Sequence, residues 1–312
     1  MENEKNSAYA ESPEIIDVRK QGYCGGVRNA ISRVLNYRLD HPDEPMTLLG
    51  ALVHNNYVSE ALKKQNITVL ESAGKTRLEL LDEIDHGTVI FTAHGVSDEV
   101  RKKAAGKGLN ILDASCPFVC TTQKLVSEKI EQGYTIFYIG KKGHPEAEAV
   151  YLHEPRVMLI TREEDIPSDL QTPVFVTNQT TMSLLEIDHL FQAIKKKVPQ
   201  AEFANELCSA TRIRQQAVLD LKGQGIDLLI VAGDPSSNNS RKLQDAGRKA
   251  GIPRSLLCES AEDLRDTNLE GVQKIALTSG ASTPRAVHDQ ILDWLKTGSI
   301  TPVDLDSLLQ AG

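Results

Sequence analysis

The sequence predicts an α/β protein built from three related units, each a small, mostly parallel sheet covered by helices. Three observations predict it. Short apolar runs alternate with helix-period segments along most of the chain, and continuously apolar strands of this kind belong to parallel sheets buried on both faces. Three cysteines stand at equal intervals: 92 residues separate Cys24 from Cys116 (116 − 24), and 92 separate Cys116 from Cys208 (208 − 116). The residues between them correspond in order, as an internal repeat requires.

The chain opens on MENEKNSAYAESP, a polar and acidic stretch without the apolar centre of a signal peptide, and 1–13 reads as a disordered extension. EIIDV at 14–18 reads as a strand that runs into QGYCGG, so 14–25 carries the first cysteine loop, and a helix follows over 27–39. After each cysteine and its helix comes an apolar strand ending in glycine: MTLLG at Gly50, YTIFYIG at Gly140, DLLIVAG at Gly233. Four residues past each glycine stands a hydrogen-bonding side chain: His54, His144 and Ser237. A second apolar strand then breaks into small or polar residues after Thr92, Thr177 and Thr278, and a helix follows. LNILDASC and AEFANELC lead to the next cysteine; the third repeat ends instead in a helix near 285–295. Its missing strand is EIIDV at the front of the chain. The expected units are 26–117, 118–209 and 210–296, with 14–25 packing on the third and 297–312 a C-terminal tail.

Composition narrows the function. No stretch approaches the roughly 18 uncharged apolar residues of a membrane span, so the chain is expected in the cytoplasm. A net charge of −8 without a long basic run argues against nucleic acid as a partner. An odd count of five cysteines in such a chain argues against a disulfide framework.

Ligands of open parallel sheets bind beyond the carboxyl ends of the strands, and every motif above stands at such an end. Three units in a pseudo-threefold trefoil would aim them at one central cavity. Three thiolates from separate units suit zinc or an iron–sulfur cluster. The cluster fits better, because no close C-x2-C pair or fourth ligand is present and three cysteines leave one iron open. Cys120 and Cys258 fall outside the repeat and read as small core residues. His54, His94, His144, Thr180, Ser237, Asn239 and Ser282 form a donor set suited to an anion such as diphosphate, with the histidines supplying charge. The run from Ser237 reads equally as a helix N-cap. Glu146 could hold and deliver a proton in a closed cavity, or simply favour a helix start. His41, His86, His153, His189 and His288 read as structural. No P-loop or dinucleotide fingerprint occurs.

In order, GYCGGV, LVHNNYV, TAHGVS, DASCPFV, GHPEAEA, TNQTTMS, ELCSATRIRQQAV, SSNNSRKL and TSGASTP resemble the motif set of the 4-hydroxy-3-methylbut-2-enyl diphosphate reductase family, the last step of the methylerythritol phosphate route to isoprenoids. The resemblance covers about 14–296. It implies a trefoil around a [4Fe–4S] cluster held by Cys24, Cys116 and Cys208, with the substrate hydroxyl on the open iron. It implies further that His54, His94, His144, Ser237, Asn239 and Ser282 hold the diphosphate. Glu146 and Thr180 would supply the proton that leaves with the hydroxyl as water, giving isopentenyl and dimethylallyl diphosphate. Asn238 stands in that cradle where the family usually has serine, and Ser115 where threonine is usual. Electrons would come from a ferredoxin or flavodoxin docking near Lys141, Lys142, Arg212 or Arg214. Two other readings remain: a non-catalytic iron–sulfur sensor or carrier with the same cavity, and, without any H-E-x-x-H to support it, a zinc hydrolase.

Overall fold

The computed structural model describes residues 13–71, 74–167, 170 and 172–309. The expected extension lies outside the described residues except for Pro13. Among the described residues twelve strands form three sheets. They are β1 (Glu14–Asp17), β2 (Met46–Leu49), β3 (Ile67–Leu70), β4 (Thr88–Phe91), β5 (Asn110–Asp113), β6 (Thr135–Ile139), β7 (Val157–Ile160), β8 (Val174–Asn178), β9 (Glu202–Phe203), β10 (Leu228–Ala232), β11 (Arg254–Cys258) and β12 (Lys274–Ser279).

Strand order shows the repeat directly. The sheets run β3-β2-β4-β5, β7-β6-β8-β9 and β11-β10-β12-β1, and every pairing is parallel. β1 thus fills the edge position that β5 and β9 hold in the other sheets, the place assigned to EIIDV from the sequence. The strands that end at Gly140 and Gly233, and those that end near Thr92 and Thr177, are almost wholly buried, as helices on both faces demand. Two four-residue edge strands, β3 (ITVL) and β7 (VMLI), were not expected from the sequence.

By contacts the described chain divides into two compact units, one of residues 13–24 with Arg212–Leu308, the other of Gly25–Thr211. The first contains the β11-β10-β12-β1 sheet and a core around Leu229, Val231, Leu243 and Ala276. The second contains the other two sheets. One of its cores gathers Leu49, Val89, Phe91 and Val100, and another gathers Ile139, Val176, Ile187 and Ile194.

Glycines at strand ends bring helix starts close. In the first unit the helix Asn238–Lys249 begins beside Gly233 and Gly280, the residues that follow β10 and β12. A Cβ on either glycine would collide with the Ser240 hydroxyl, and Ser240 is fully buried. The glycines therefore form a slot that seats the helix start, which carries Ser237, Asn238 and Asn239. Overpacking such a contact costs roughly 1–3 kcal/mol. We expect Gly233→Ala to lower unfolding stability by that amount in urea titration; an unchanged midpoint would show that the slot does not seat the helix.

Candidate functional site

In the unit Gly25–Thr211 three loops beyond the carboxyl ends of the strands bring His54, His94 and His144 together. Ring centroids lie 4.3 Å apart for His54 and His94, 5.3 Å for His54 and His144, and 5.6 Å for His94 and His144. One ring nitrogen of each lies within 4.8 Å of the other two, close enough to face one small ion. His54 precedes Asn55, the cap of the helix Asn56–Lys64. His94 lies in a turn closed by Gly95 N–H donating to Thr92 O at 3.0 Å. His144 caps the helix Pro145–Tyr151, its Nδ1 accepting from Glu146 N–H at 3.2 Å. That bond leaves the ring proton of the neutral form on Nε2.

Burial, reinforced by His54 and His144, holds His94 well below the usual imidazole range, so it is neutral at pH 7. His94 therefore offers an anion a neutral N–H rather than the charge expected of it.

Glu146 is 2% exposed and Thr180 4% exposed. Thr180 N–H donates to Glu146 Oε1 at 2.7 Å. Burial raises the Glu146 carboxyl to about 7, against hydrogen bonds from Thr180 that lower it. This is the condition for an acid that carries its proton near neutral pH and can release it.

Each repeat cysteine stands directly before a helix: Cys24 before Gly25–Asp40, Cys116 before Pro117–Glu131, Cys208 before Ser209–Leu219. All three are partly exposed, and none of the five cysteines is in a disulfide. Their backbone amides make one recurring bond. Cys116 N–H donates to Ala93 O at 3.0 Å, Cys208 N–H to Thr180 O at 3.2 Å, and Cys24 N–H to Ala281 O at 3.0 Å. In each case the acceptor is a candidate site residue or its immediate neighbour.

The donor set suits an iron–sulfur cluster. Soft thiolates at helix starts, where amide groups favour negative charge, are what such a cluster requires. Thr211 N–H approaches Cys208 Sγ at 3.4 Å, with the Thr211 hydroxyl at 3.1 Å. A Cβ on Gly25 would meet nothing within 4 Å, so protein packing leaves room beside Cys24.

In the unit of 13–24 and Arg212–Leu308 stand Cys24, Ser237, Asn238, Asn239 and Ser282. Ser237 Oγ caps its helix by accepting from Ser240 N–H at 3.3 Å, and its hydroxyl proton can still be donated. Asn239 Oδ1 accepts from Ala281 N–H at 2.9 Å, which fixes the side-chain amide in one orientation. Asn238 is buried in the same first turn.

Two further expectations are corrected. Cys120 is exposed rather than a core residue, because the helix Pro117–Glu131 buries Val119, Thr122 and Val126 and Cys120 lies off that stripe. Cys258 does lie in the core at 3% exposure. Arg214, expected on a docking surface, is 5% exposed and donates to Gly22 O at 2.7 Å, bracing the Cys24 loop. His288 is structural as expected, fully buried with Nε2 2.9 Å from Asp17 Oδ1.

Sequence reasoning missed Thr211 and Arg77. The signal for Arg77 was available: it follows the capping threonine of T-R-L-E, and a cation in a first helical turn opposes the helix dipole.

A parallel α/β scaffold that carries thiols, imidazoles and a raised carboxyl beyond its strand ends has the donor chemistry of a protein for metals and anions. The LytB protein family model matches residues 15–296, and the chain belongs to that family. Relatives named 4-hydroxy-3-methylbut-2-enyl diphosphate reductase include one from Brevibacillus brevis, 45% identical over 91% of each chain. Another, from Bacillus cytotoxicus, is 42% identical over 91% of this chain and 90% of its own. The solved structure of the E-1-hydroxy-2-methyl-but-2-enyl-4-diphosphate reductase from Plasmodium falciparum is similar with a TM-score of 0.84 at 28% identity, covering 96% of this chain and 97% of that one. The oxidoreductase class expected from the motifs is that of these relatives.

Glu146 also sets a stability test. A carboxyl raised in the folded state above its unfolded value of 4.5 leaves stability intact at low pH and removes it as pH rises toward and past about 7. The difference corresponds to at most on the order of 3 kcal/mol. Glu146→Gln, which keeps an acceptor for Thr180 N–H, should match the wild type at about pH 5 and exceed it at about pH 8 in denaturant titrations. Parallel curves at both pH values would contradict the raised carboxyl.

Proposed function

We propose that this chain reduces (E)-4-hydroxy-3-methylbut-2-enyl diphosphate to isopentenyl and dimethylallyl diphosphate, consuming two electrons and two protons and releasing water. The observation that carries the reading is the buried Glu146, raised to about 7 beside Thr180, in the same unit as the three-histidine cluster. Family membership and the relatives' names support it.

Cys24, Cys116 and Cys208 would hold a [4Fe–4S] cluster. When bound, it supplies electrons and a Lewis-acidic iron for the substrate's hydroxyl. The chain's own residues do the rest. His54, His94 and His144 hold the diphosphate through ring N–H groups, with Ser237, Asn238, Asn239 and Ser282 adding hydroxyl and amide donors. Anchoring that end of the substrate fixes where its hydroxyl lies. Glu146 then donates the proton that converts a poor leaving group, hydroxide, into water. Thr180 orients the carboxyl through its N–H, and reprotonation of Glu146 resets the site.

No helix among the described residues is long and apolar enough to cross a membrane, and we place the enzyme in the cytoplasm. The electron donor is a small ferredoxin or flavodoxin. With Arg214 buried, exposed Lys142 and Arg212 remain as basic docking residues.

Anaerobic purification with iron and sulfide analysis tests the cofactor: several irons per chain are expected, and a protein still colourless and iron-free after anaerobic reconstitution would refute it. Cys24→Ser should abolish turnover and lower iron content. Glu146→Gln should keep the iron but slow turnover by about 100-fold or more, the usual scale of lost acid catalysis. A Glu146→Gln enzyme with normal kcat would remove Glu146 as the acid, whereas a cluster-loaded wild type without any turnover would favour the sensor reading.

A further inference from the structure

Arg77 reaches the loop that carries His94. Its Nη1 donates to Gly95 O at 2.5 Å and its Nη2 to Thr92 Oγ1 at 2.9 Å. Gly50, the glycine that ends β2, makes room for it: φ is +95°, and a Cβ there would lie 3.2 Å from Arg77 Nη2. Thr92 Oγ1 in turn lies 3.4 Å from His94 Nδ1.

Hydrogen-bond chemistry gives this chain a direction. A guanidinium only donates, so the Thr92 oxygen accepts from it. Thr92 is fully buried, and its side chain makes no third hydrogen bond among the described residues. A buried hydroxyl proton left without an acceptor is destabilising. The His94 Nδ1 lone pair is the acceptor within reach, so Nδ1 accepts and the ring proton sits on Nε2.

The repeat provides an internal control. Thr177 and Thr278 hold the corresponding strand-end positions and are equally buried, yet their hydroxyls have no hydrogen-bond partner among the described residues. Only the threonine whose loop carries a histidine is wired.

We propose that Arg77 and Thr92 are positioning residues that lock His94 in its Nε2–H tautomer, so that it donates a hydrogen bond to a phosphate oxygen of a diphosphate ligand. The proposal rests on the reading of His94 as a diphosphate contact. A histidine with its proton on Nδ1 would turn a lone pair toward that oxygen. The lock thus decides whether a neutral imidazole attracts or repels the anion.

The test uses anaerobically purified full-length protein, inorganic diphosphate titrated by calorimetry, and the His94 tautomer read from two-bond ¹H–¹⁵N correlations after ¹⁵N-histidine labelling. Thr92→Val keeps the side-chain shape without the hydroxyl. It is expected to weaken inorganic diphosphate about tenfold and to give a mixture of His94 tautomers. Thr92→Ser should restore both readouts. Arg77→Gln should reproduce the loss and serves if Thr92→Val does not fold. An unchanged tautomer and affinity in Thr92→Val, or an equal loss in Thr92→Ser, overturns the proposal. His94→Asn separates the two layers. If it binds inorganic diphosphate as tightly as wild type, the reading of His94 falls and the proposal with it. If it binds weakly while Thr92→Val is unaffected, the positioning role alone is overturned.

Discussion

One hydrogen bond recurs at the chemical end of each sheet, and the loop that carries a candidate site residue in each sheet depends on it. The amide of each repeat cysteine donates to a carbonyl in the loop after the threonine strand: Cys24 to Ala281, Cys116 to Ala93, Cys208 to Thr180. The acceptor loops hold Ser282, His94 and Thr180. A thiol and a candidate site loop are therefore fixed to each other through backbone, whose geometry varies little, rather than through flexible side chains. The edge strands that deliver the cysteines are short, with β9 only two residues long. So short a ladder offers few hydrogen bonds to hold register, and a slip of one residue would turn every side chain to the opposite face. The amide bond beyond the strand end supplies the missing constraint.

Charge is handled by burial and tautomer more than by cations. His94 is held neutral, and Glu146 carries its proton to about neutral pH. His144 has its Nδ1 occupied by the Glu146 amide, which fixes a donor nitrogen in the same residue pair that holds the acid. Such a site meets an anion with preset N–H and O–H donors, which need not reorganise when charge builds on a leaving oxygen. Full positive charges would attract an anion more strongly, but they would also lower the Glu146 carboxyl, which would then be ionised near pH 7.

Much of this was legible in the sequence because a repeat converts single residues into positions. The equal cysteine intervals, the glycine-plus-four donors and the threonine strand ends located three of the four strands in each sheet, the N-terminal strand that completes the third among them. What escaped had no repeated marker. The edge strands ITVL and VMLI are four-residue apolar runs between helices. Cys120 looked like a core residue because a lone cysteine carries no facial information until its helix is placed against Val119, Thr122 and Val126. Arg214 looked like a surface cation because its acceptor, Gly22 O, lies 192 residues away in the chain. The raised carboxyl of Glu146 follows from burial, which no local motif encodes.

The three sheets share a frame and differ in what that frame is asked to hold. At the ends of β8 and β12, Thr177 and Thr278 bury hydroxyls without hydrogen-bond partners among the described residues. Each such group is a small destabilisation that a purely structural position would shed by becoming valine. At β4 the same hydroxyl relays Arg77 to His94. A residue type held in common by three loops thus has a use in one of them, where a histidine came to lie two positions on and an arginine reached the loop past a glycine. Specialisation of the repeat therefore required no change in the strand end itself, only in the side chains brought to meet it.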